Sequence, residues 1–132
     1  MSRENVEALR RVYEGWERGD FTTSESLMEK NIILVVTSSF PTEGVWVGLD
    51  GVKQHTAQVL DAWESLTMAA ESYTDAGDTV LVNVLQRGVG AGSGVSTEMR
   101  YFQLWSFRGG KAIRLEVIAD EAEALEAAGL RE

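Results

Sequence analysis

The period of the hydrophobic pattern changes near Ser65, and this change constrains the fold more than any other feature of the sequence. Before it, apolar residues recur mainly at steps of three and four, which is the spacing of one helix face. After it, apolar and polar residues alternate as in half-buried strands, and residues 76–78 and 108–110 carry the glycines and aspartates of hairpin turns. Helices followed by a run of antiparallel strands predict an α+β fold.

The first half of the chain is predicted to hold three helices, interleaved with one strand and one short extended piece. The second helix starts at Thr23 or Ser24, and the third has Asp50 as its N-cap. Between them, the apolar run at 32–37 predicts a strand. A short helix with Asp120 as its cap closes the chain. The strands after the third helix are expected at about 67–75, 79–88, 95–107 and 111–119.

The composition limits the partners that the chain can have. We expect one domain over residues 1–132, large enough to bury a core without disulfides or metals. Its 12 basic and 21 acidic residues give a net charge of −9, which disfavours nucleic acid and anionic membranes because both are polyanions. With no cysteine and one histidine, thiolate and multi-histidine metal sites are excluded, and no cofactor is expected. Because no apolar leader or membrane span is evident, the cytoplasm is the expected location.

Four stretches of the sequence carry a resemblance to a known family. They are Trp16-Glu-Arg-Gly-Asp-Phe21, Gly48-Leu-Asp-Gly-Val52, Gln103-Leu-Trp-Ser-Phe-Arg-Gly-Gly-Lys111 and residues 120–130. In this order they resemble the nuclear transport factor 2-like superfamily, and within it the SnoaL-like polyketide-cyclase family. The resemblance implies a cystatin-like roll, in which a cone-shaped, curved, mostly antiparallel sheet carries three N-terminal helices over its concave face. This superfamily hosts isomerases, cyclases, epoxide hydrolases, dehydratases and non-catalytic binders on one scaffold.

The best-defined chemistries of the superfamily are not retained in this sequence. The oxyanion-hole tyrosine of ketosteroid isomerases falls at Val12, one step from Tyr13, and their oxyanion aspartic acid falls at Gln103. Their catalytic base falls near Val36 or Thr37. The Asp-Arg-Asp set of limonene-epoxide-hydrolase-like members is also absent, since its positions fall near Gln86, Val84 and Val117.

Two residues are candidates for catalysis. Gln103 can donate a hydrogen bond to a substrate carbonyl, as an oxyanion-hole amide does, or it can be a structural amide held by Tyr13. His55 is the single imidazole and can act as a general base, or it can be a partly exposed helix residue. Other polar and aromatic side chains are expected to form the wall of an internal pocket for a flat, polycyclic or aromatic ligand, or simply to fill the core. These ligand-binding candidates are Tyr13, Trp16, Trp63, Gln86, Tyr101 and Trp105.

Three functions are compatible with these residues. The first is a metal-free and cofactor-free isomerase or cyclase-type lyase acting on a small hydrophobic carbonyl compound. The second is a non-catalytic binding protein for such a molecule, and the third is a protein-interaction or dimerisation module. A homodimer is also expected, because the alternation leaves an apolar outer sheet face with no helix to cover it. The residues of that face are Leu81, Leu85, Phe102 and Leu104.

Overall fold

The computed structural model describes residues 2–37 and 39–130, and in these ranges it contains three helices and six strands. They are α1 (Ser2–Glu17), β1 (Met28–Val36), β2 (Gly44–Val47), α2 (Gly48–Asp61), β3 (Trp63–Ala76), β4 (Thr79–Gly90), β5 (Ser96–Arg108), β6 (Lys111–Ile118) and α3 (Glu121–Ala127). The strands form one mixed sheet in the order β2-β1-β6-β5-β4-β3, with β1 and β6 parallel. The predicted α+β class is confirmed. No helix in the described ranges is long and apolar enough to cross a membrane.

Helices α1 and α2 cover one face of the sheet. The main core lies between these two helices and that face. Helix α1 packs on β3, and α2 packs on β1. The apolar residues of α1 recur at steps of three and four, so that Leu9, Val12 and Trp16 are all buried on the sheet side. The alternation predicted for β5 is confirmed, because Tyr101 and Trp105 are buried in the same core cluster.

The predicted second helix does not form, and only two helices precede the meander. Residues 21–27 make a series of turns, and Met28 already belongs to β1. The hydroxyl of Thr23 donates to the Val12 carbonyl at 2.9 Å, which ties these turns to α1. The approach is so close that a Cβ on Gly15 would lie 2.2 Å from Thr23 Cγ2. This tertiary packing overrides the local preference for a helix.

The ends of α2 also differ from the sequence-based prediction. Its N-cap is Val47, with no side-chain cap, while Asp50 lies in the first helical turn. The helix ends at Asp61, and Trp63 is the first residue of β3, which therefore begins earlier than expected. Gly88 on the neighbouring strand makes this possible, because a Cβ there would lie 2.6 Å from Trp63 Cε3. At the other end of the chain, the predicted cap at Asp120 is confirmed: its carboxylate accepts the Glu123 N–H at 2.9 Å.

The outer sheet face is not left bare, contrary to the expectation from the alternation. Helix α3 packs on it and forms a second core cluster, in which Ala124 contacts the apolar group of Leu81, Leu104 and Ile118. Beyond α3, the exposed part of this face carries ion pairs, such as Arg100 with Glu71 at 2.8 Å. The homodimer was expected because the sequence predicts this face to be apolar and uncovered. Since α3 covers part of it, that reason is weakened, and the homodimer stays a prediction.

Candidate functional site

Two small cavities lie between the helices and the sheet, and they share one wall. The first is named the Phe21 cavity, because Phe21 lines it and does not line the other, and it has a volume of about 70 Å³. The Phe40 cavity, named in the same way, has a volume of about 80 Å³. Because they share five lining residues, they are two halves of one candidate site. The shared residues are His55, Val59, Met68, Gln103 and Val117.

A surface groove leads to the Phe21 cavity. It runs between the turns at 19–25 and α2, and it shares several lining residues with the cavity, including Phe21, Thr56 and Leu60. Leu60 is 40% exposed and lines both the groove and the cavity, which places it at the mouth between them. The side of the site that faces solvent is therefore formed by a non-helical segment and one face of α2.

Gln103 is the polar group at the centre of the candidate site. It is 4% exposed, and its side chain lines both cavities. Its Oε1 accepts a hydrogen bond from the Tyr13 hydroxyl, which in turn accepts the Trp105 indole N–H at 2.9 Å. Burial raises the pKa of Tyr13 well above its ordinary value, so that its hydroxyl keeps the proton that it donates. No group of the described residues accepts a hydrogen bond from Gln103 Nε2.

A second buried glutamine lies in the Phe40 cavity. Gln86 Oε1 accepts a hydrogen bond from the Tyr101 hydroxyl at 2.7 Å, and both side chains line this cavity. Burial raises the pKa of Tyr101, which therefore also stays protonated. The same hydroxyl lies 3.4 Å from Met68 Sδ. Apart from the His55 imidazole, the polar side chains of this cavity are thus neutral amides and hydroxyls.

His55 lies in the shared wall, on α2. Its Nε2 is 3.1 Å from Thr42 Oγ1, and its ring packs edge-on against Trp46 at a centroid distance of 5.4 Å. Burial lowers the pKa of His55, so that the imidazole is neutral at neutral pH. A neutral imidazole beside Gln103 can take up a proton, which is what a general base requires.

The aromatic candidates divide into two groups. Trp16 and Tyr101 line the cavities. Tyr13 and Trp105 lie behind the wall: the Tyr13 hydroxyl bonds Gln103, and the Trp105 indole bonds Tyr13. Trp63 lies outside both cavities, against Gly88 of β4. The indole Nε1 of Trp16 is buried and has no hydrogen-bond partner among the described residues.

Met68, Phe40 and Thr42 are among the lining residues that were not identified from the sequence. Met68 lies in the shared wall, and Phe40 and Thr42 line the Phe40 cavity from the segment between β1 and β2. The proline and glycine near this segment indicated a loop, but nothing in the sequence showed that the loop turns toward the helix-covered face. In the described ranges, no group of three or more histidine, aspartate or glutamate side chains is placed to hold a metal ion.

Solved structures described as nuclear transport factor 2-like proteins share this α+β fold, in which α1 and α2 cover one face of a six-stranded mixed sheet and α3 packs on the other. The chain belongs to the SnoaL-like domain family, whose model matches residues 9–115. Among curated proteins, none matches the sequence.

Solved structures share this fold along most of their length. TerC, co-crystallised with polyporic acid, is 24% identical, with 96% of this chain and 98% of that chain covered and a TM-score of 0.77. A nuclear transport factor 2-like protein from Burkholderia thailandensis is 23% identical, with coverages of 96% and 95% and a TM-score of 0.78. A protein with a ketosteroid isomerase-like fold from Catenulispora acidiphila, in complex with trimethylamine, is 15% identical, with coverages of 94% and 93% and a TM-score of 0.74.

Proposed function

We propose that this protein binds a small, hydrophobic, carbonyl-bearing molecule in the two cavities between the helices and the sheet. The observation that carries this proposal is Gln103 Nε2, a donor with no hydrogen-bond partner among the described residues, on a side chain that is 4% exposed and lines both cavities. A ligand carbonyl in either cavity is an acceptor that can pair with this donor. The indole N–H of Trp16, on a side chain that lines the Phe21 cavity, is buried and has no partner among the described residues, and such a donor costs free energy until an acceptor pairs with it.

The size of the cavities restricts the ligand. Neither cavity alone reaches the roughly 150 Å³ of an engineered protein cavity that binds benzene, but the two together have about that volume. The combined volume of the two cavities therefore restricts the proposed ligand to about one six-membered ring with one carbonyl. The polycyclic ligand expected from the aromatic content of the sequence is larger than this space.

Structural neighbours support a small organic molecule as the ligand class. TerC was co-crystallised with polyporic acid, and the protein from Catenulispora acidiphila was crystallised in complex with trimethylamine. At 24% and 15% identity these proteins share the fold with this chain, so the analogy concerns the class of ligand and not its identity.

Cyclohexanone is a suitable probe, and Gln103→Leu is the substitution that tests the proposal. We expect the wild type to bind cyclohexanone with millimolar affinity, detected by chemical-shift titration, and Gln103→Leu to weaken binding by about 1–3 kcal/mol because the donor is lost. Gln58→Leu, on an exposed position of α2, is the matched control and should bind as the wild type does. Equal affinity in all three proteins, or no binding to the wild type, would contradict the proposal.

Catalysis is the second candidate function, and the position of His55 favours it. Its neutral imidazole shares the wall of both cavities with Gln103, so that a base and a carbonyl-binding donor face the same space. This arrangement suits a metal-free and cofactor-free isomerase or cyclase-type reaction, in which a proton leaves carbon beside a carbonyl.

His55→Gln separates catalysis from binding alone. With a ligand identified by native mass spectrometry, general-base catalysis predicts that His55→Gln loses turnover by about 10²–10⁴-fold while affinity changes little. Turnover is followed by NMR of the ligand, and affinity by titration. Unchanged turnover in His55→Gln would return the residue to a structural role beside Thr42 and Trp46.

A further inference from the structure

A directional series of hydrogen bonds ends at Gln103. The Trp105 indole N–H is only a donor, so the Tyr13 oxygen must accept from it at 2.9 Å. The Tyr13 hydroxyl then has its own proton to donate, and Gln103 Oε1 accepts it. If the Gln103 amide were rotated by half a turn, Tyr13 would face two donors and its own proton would be unpaired. The order of donors and acceptors therefore fixes which end of the amide faces the cavities.

We infer that Tyr13 is a specificity-determining positioning residue that makes the site select ligands with an acceptor oxygen over ligands with a hydroxyl proton. Tyr13 does not line either cavity. It acts by holding the Gln103 oxygen away from the ligand, so that only the Nε2 hydrogens are presented. This inference rests on the proposed function, since it concerns the ligand that Gln103 meets.

A ketone and an alcohol should differ in binding free energy because only the alcohol carries a hydroxyl proton that needs an acceptor. A ketone accepts from Nε2 and has no proton of its own to place. An alcohol of the same size accepts equally well, but Gln103 offers its proton no acceptor. The proton must then compete for polar groups of the wall that already hydrogen-bond one another, Thr42 with His55 and Tyr101 with Gln86. A ketone should therefore bind more tightly than the matching alcohol, even though the alcohol makes the same first hydrogen bond.

The test compares cyclohexanone with cyclohexanol in the wild type, Tyr13→Phe and Tyr73→Phe, with affinities from NMR titration. We expect a ketone preference of about three- to tenfold in the wild type, which corresponds to one neutral hydrogen bond. Tyr13→Phe frees the amide to rotate, so the ratio should fall toward one. Tyr73→Phe is the matched control, because Tyr73 packs 6.1 Å from Tyr13 but lies outside both cavities, and it should keep the wild-type ratio.

The ratio distinguishes this inference from the proposed function. If cyclohexanone binds but the ratio is the same in the wild type and Tyr13→Phe, Tyr13 does not set the specificity and the proposed function stands. If cyclohexanone does not bind the wild type at all, both fail. A loss of stability that weakens both ligands equally would leave the ratio unchanged and would count against the inference.

The wild type provides a second readout that does not require the variant to fold. Cyclohexanone should shift the side-chain amide proton resonances of Gln103, because its carbonyl accepts from Nε2. If cyclohexanone shifts the Met68 methyl resonance in the shared wall but leaves the Gln103 amide protons unmoved, the amide does not meet the ligand and the inference is overturned.

Discussion

Replacing Trp105 by alanine is expected to lower the free energy of unfolding by about 3–5 kcal/mol, the usual cost of emptying a buried tryptophan site. Trp105 is 0% exposed, and its ring centroid lies 6.0 Å from Trp16 and 6.4 Å from Tyr13. Alanine removes these contacts and the hydrogen bond that the Trp105 indole N–H donates to the Tyr13 oxygen. Because a domain has about 5–15 kcal/mol of stability in total, the urea midpoint should fall markedly. Far-UV circular dichroism measures it without relying on the deleted indole.

Trp63→Ala is the control for this prediction. Trp63 is half-buried at the start of β3, where its ring packs across Gly88 outside both cavities. Less apolar area returns to water when it is truncated, so we expect a loss of about 1–2 kcal/mol. If Trp105→Ala and Trp63→Ala lost equal stability, Trp105 would not be the central core residue that its burial indicates.

Strands β4 and β5 could be assigned to faces from the sequence because their pairing is continuous. From Thr79 opposite Ser106 to Val89 opposite Ser96, each step along one strand matches one step along the other. Alternation then carries the face assignment without error from one end of the pair to the other. With Phe102 and Leu104 predicted on the outer face, the same alternation places Gln103 on the helix-covered face, where it is buried.

Strand β3 shows why the rest of the site could not be predicted. Its register with β4 shifts between Ala70 and Ser72, so that both Met68 and Tyr73 face the helices although one position is even and the other odd. A bulge inserts one extra residue and inverts the alternation beyond it, and its position depends on how the sheet bends. Met68 was therefore missed as a wall residue.

Helix geometry similarly limits how precisely the sequence can identify Tyr13 as the residue that contacts the site. Counted back from Gly19-Asp20, the tyrosine position of ketosteroid isomerases falls at Val12, and one helical step rotates a side chain by about 100°. Both Val12 and Tyr13 are buried in α1, so burial alone does not distinguish them. The contact between the Tyr13 hydroxyl and Gln103 depends on how α1 lies on the sheet, which is a tertiary property.

Tyr13→Phe is expected to be the most destabilising single-atom deletion in the site. It leaves the Trp105 indole N–H and Gln103 Oε1 without their partner, and each buried polar group left unpaired costs about 1–3 kcal/mol. Gln103→Leu is also destabilising, because it leaves the Tyr13 proton unpaired. The double variant removes both ends of the hydrogen bond between Tyr13 and Gln103 and leaves only the Trp105 N–H unpaired.

A double-mutant cycle on Tyr13 and Gln103 should therefore show a loss of stability in the double variant smaller than the two single losses combined. We expect a coupling of about 0.5–3 kcal/mol, measured from urea unfolding of the four proteins. Tyr73→Phe with Gln103→Leu is the matched control cycle and should give no coupling, because Tyr73 contacts the Tyr13 ring but not Gln103. Additive losses for Tyr13 and Gln103 would mean that the hydroxyl does not hold the amide. In that case the Gln103 side chain is free to rotate, and Tyr13 does not determine whether Oε1 or Nε2 of Gln103 faces the cavities.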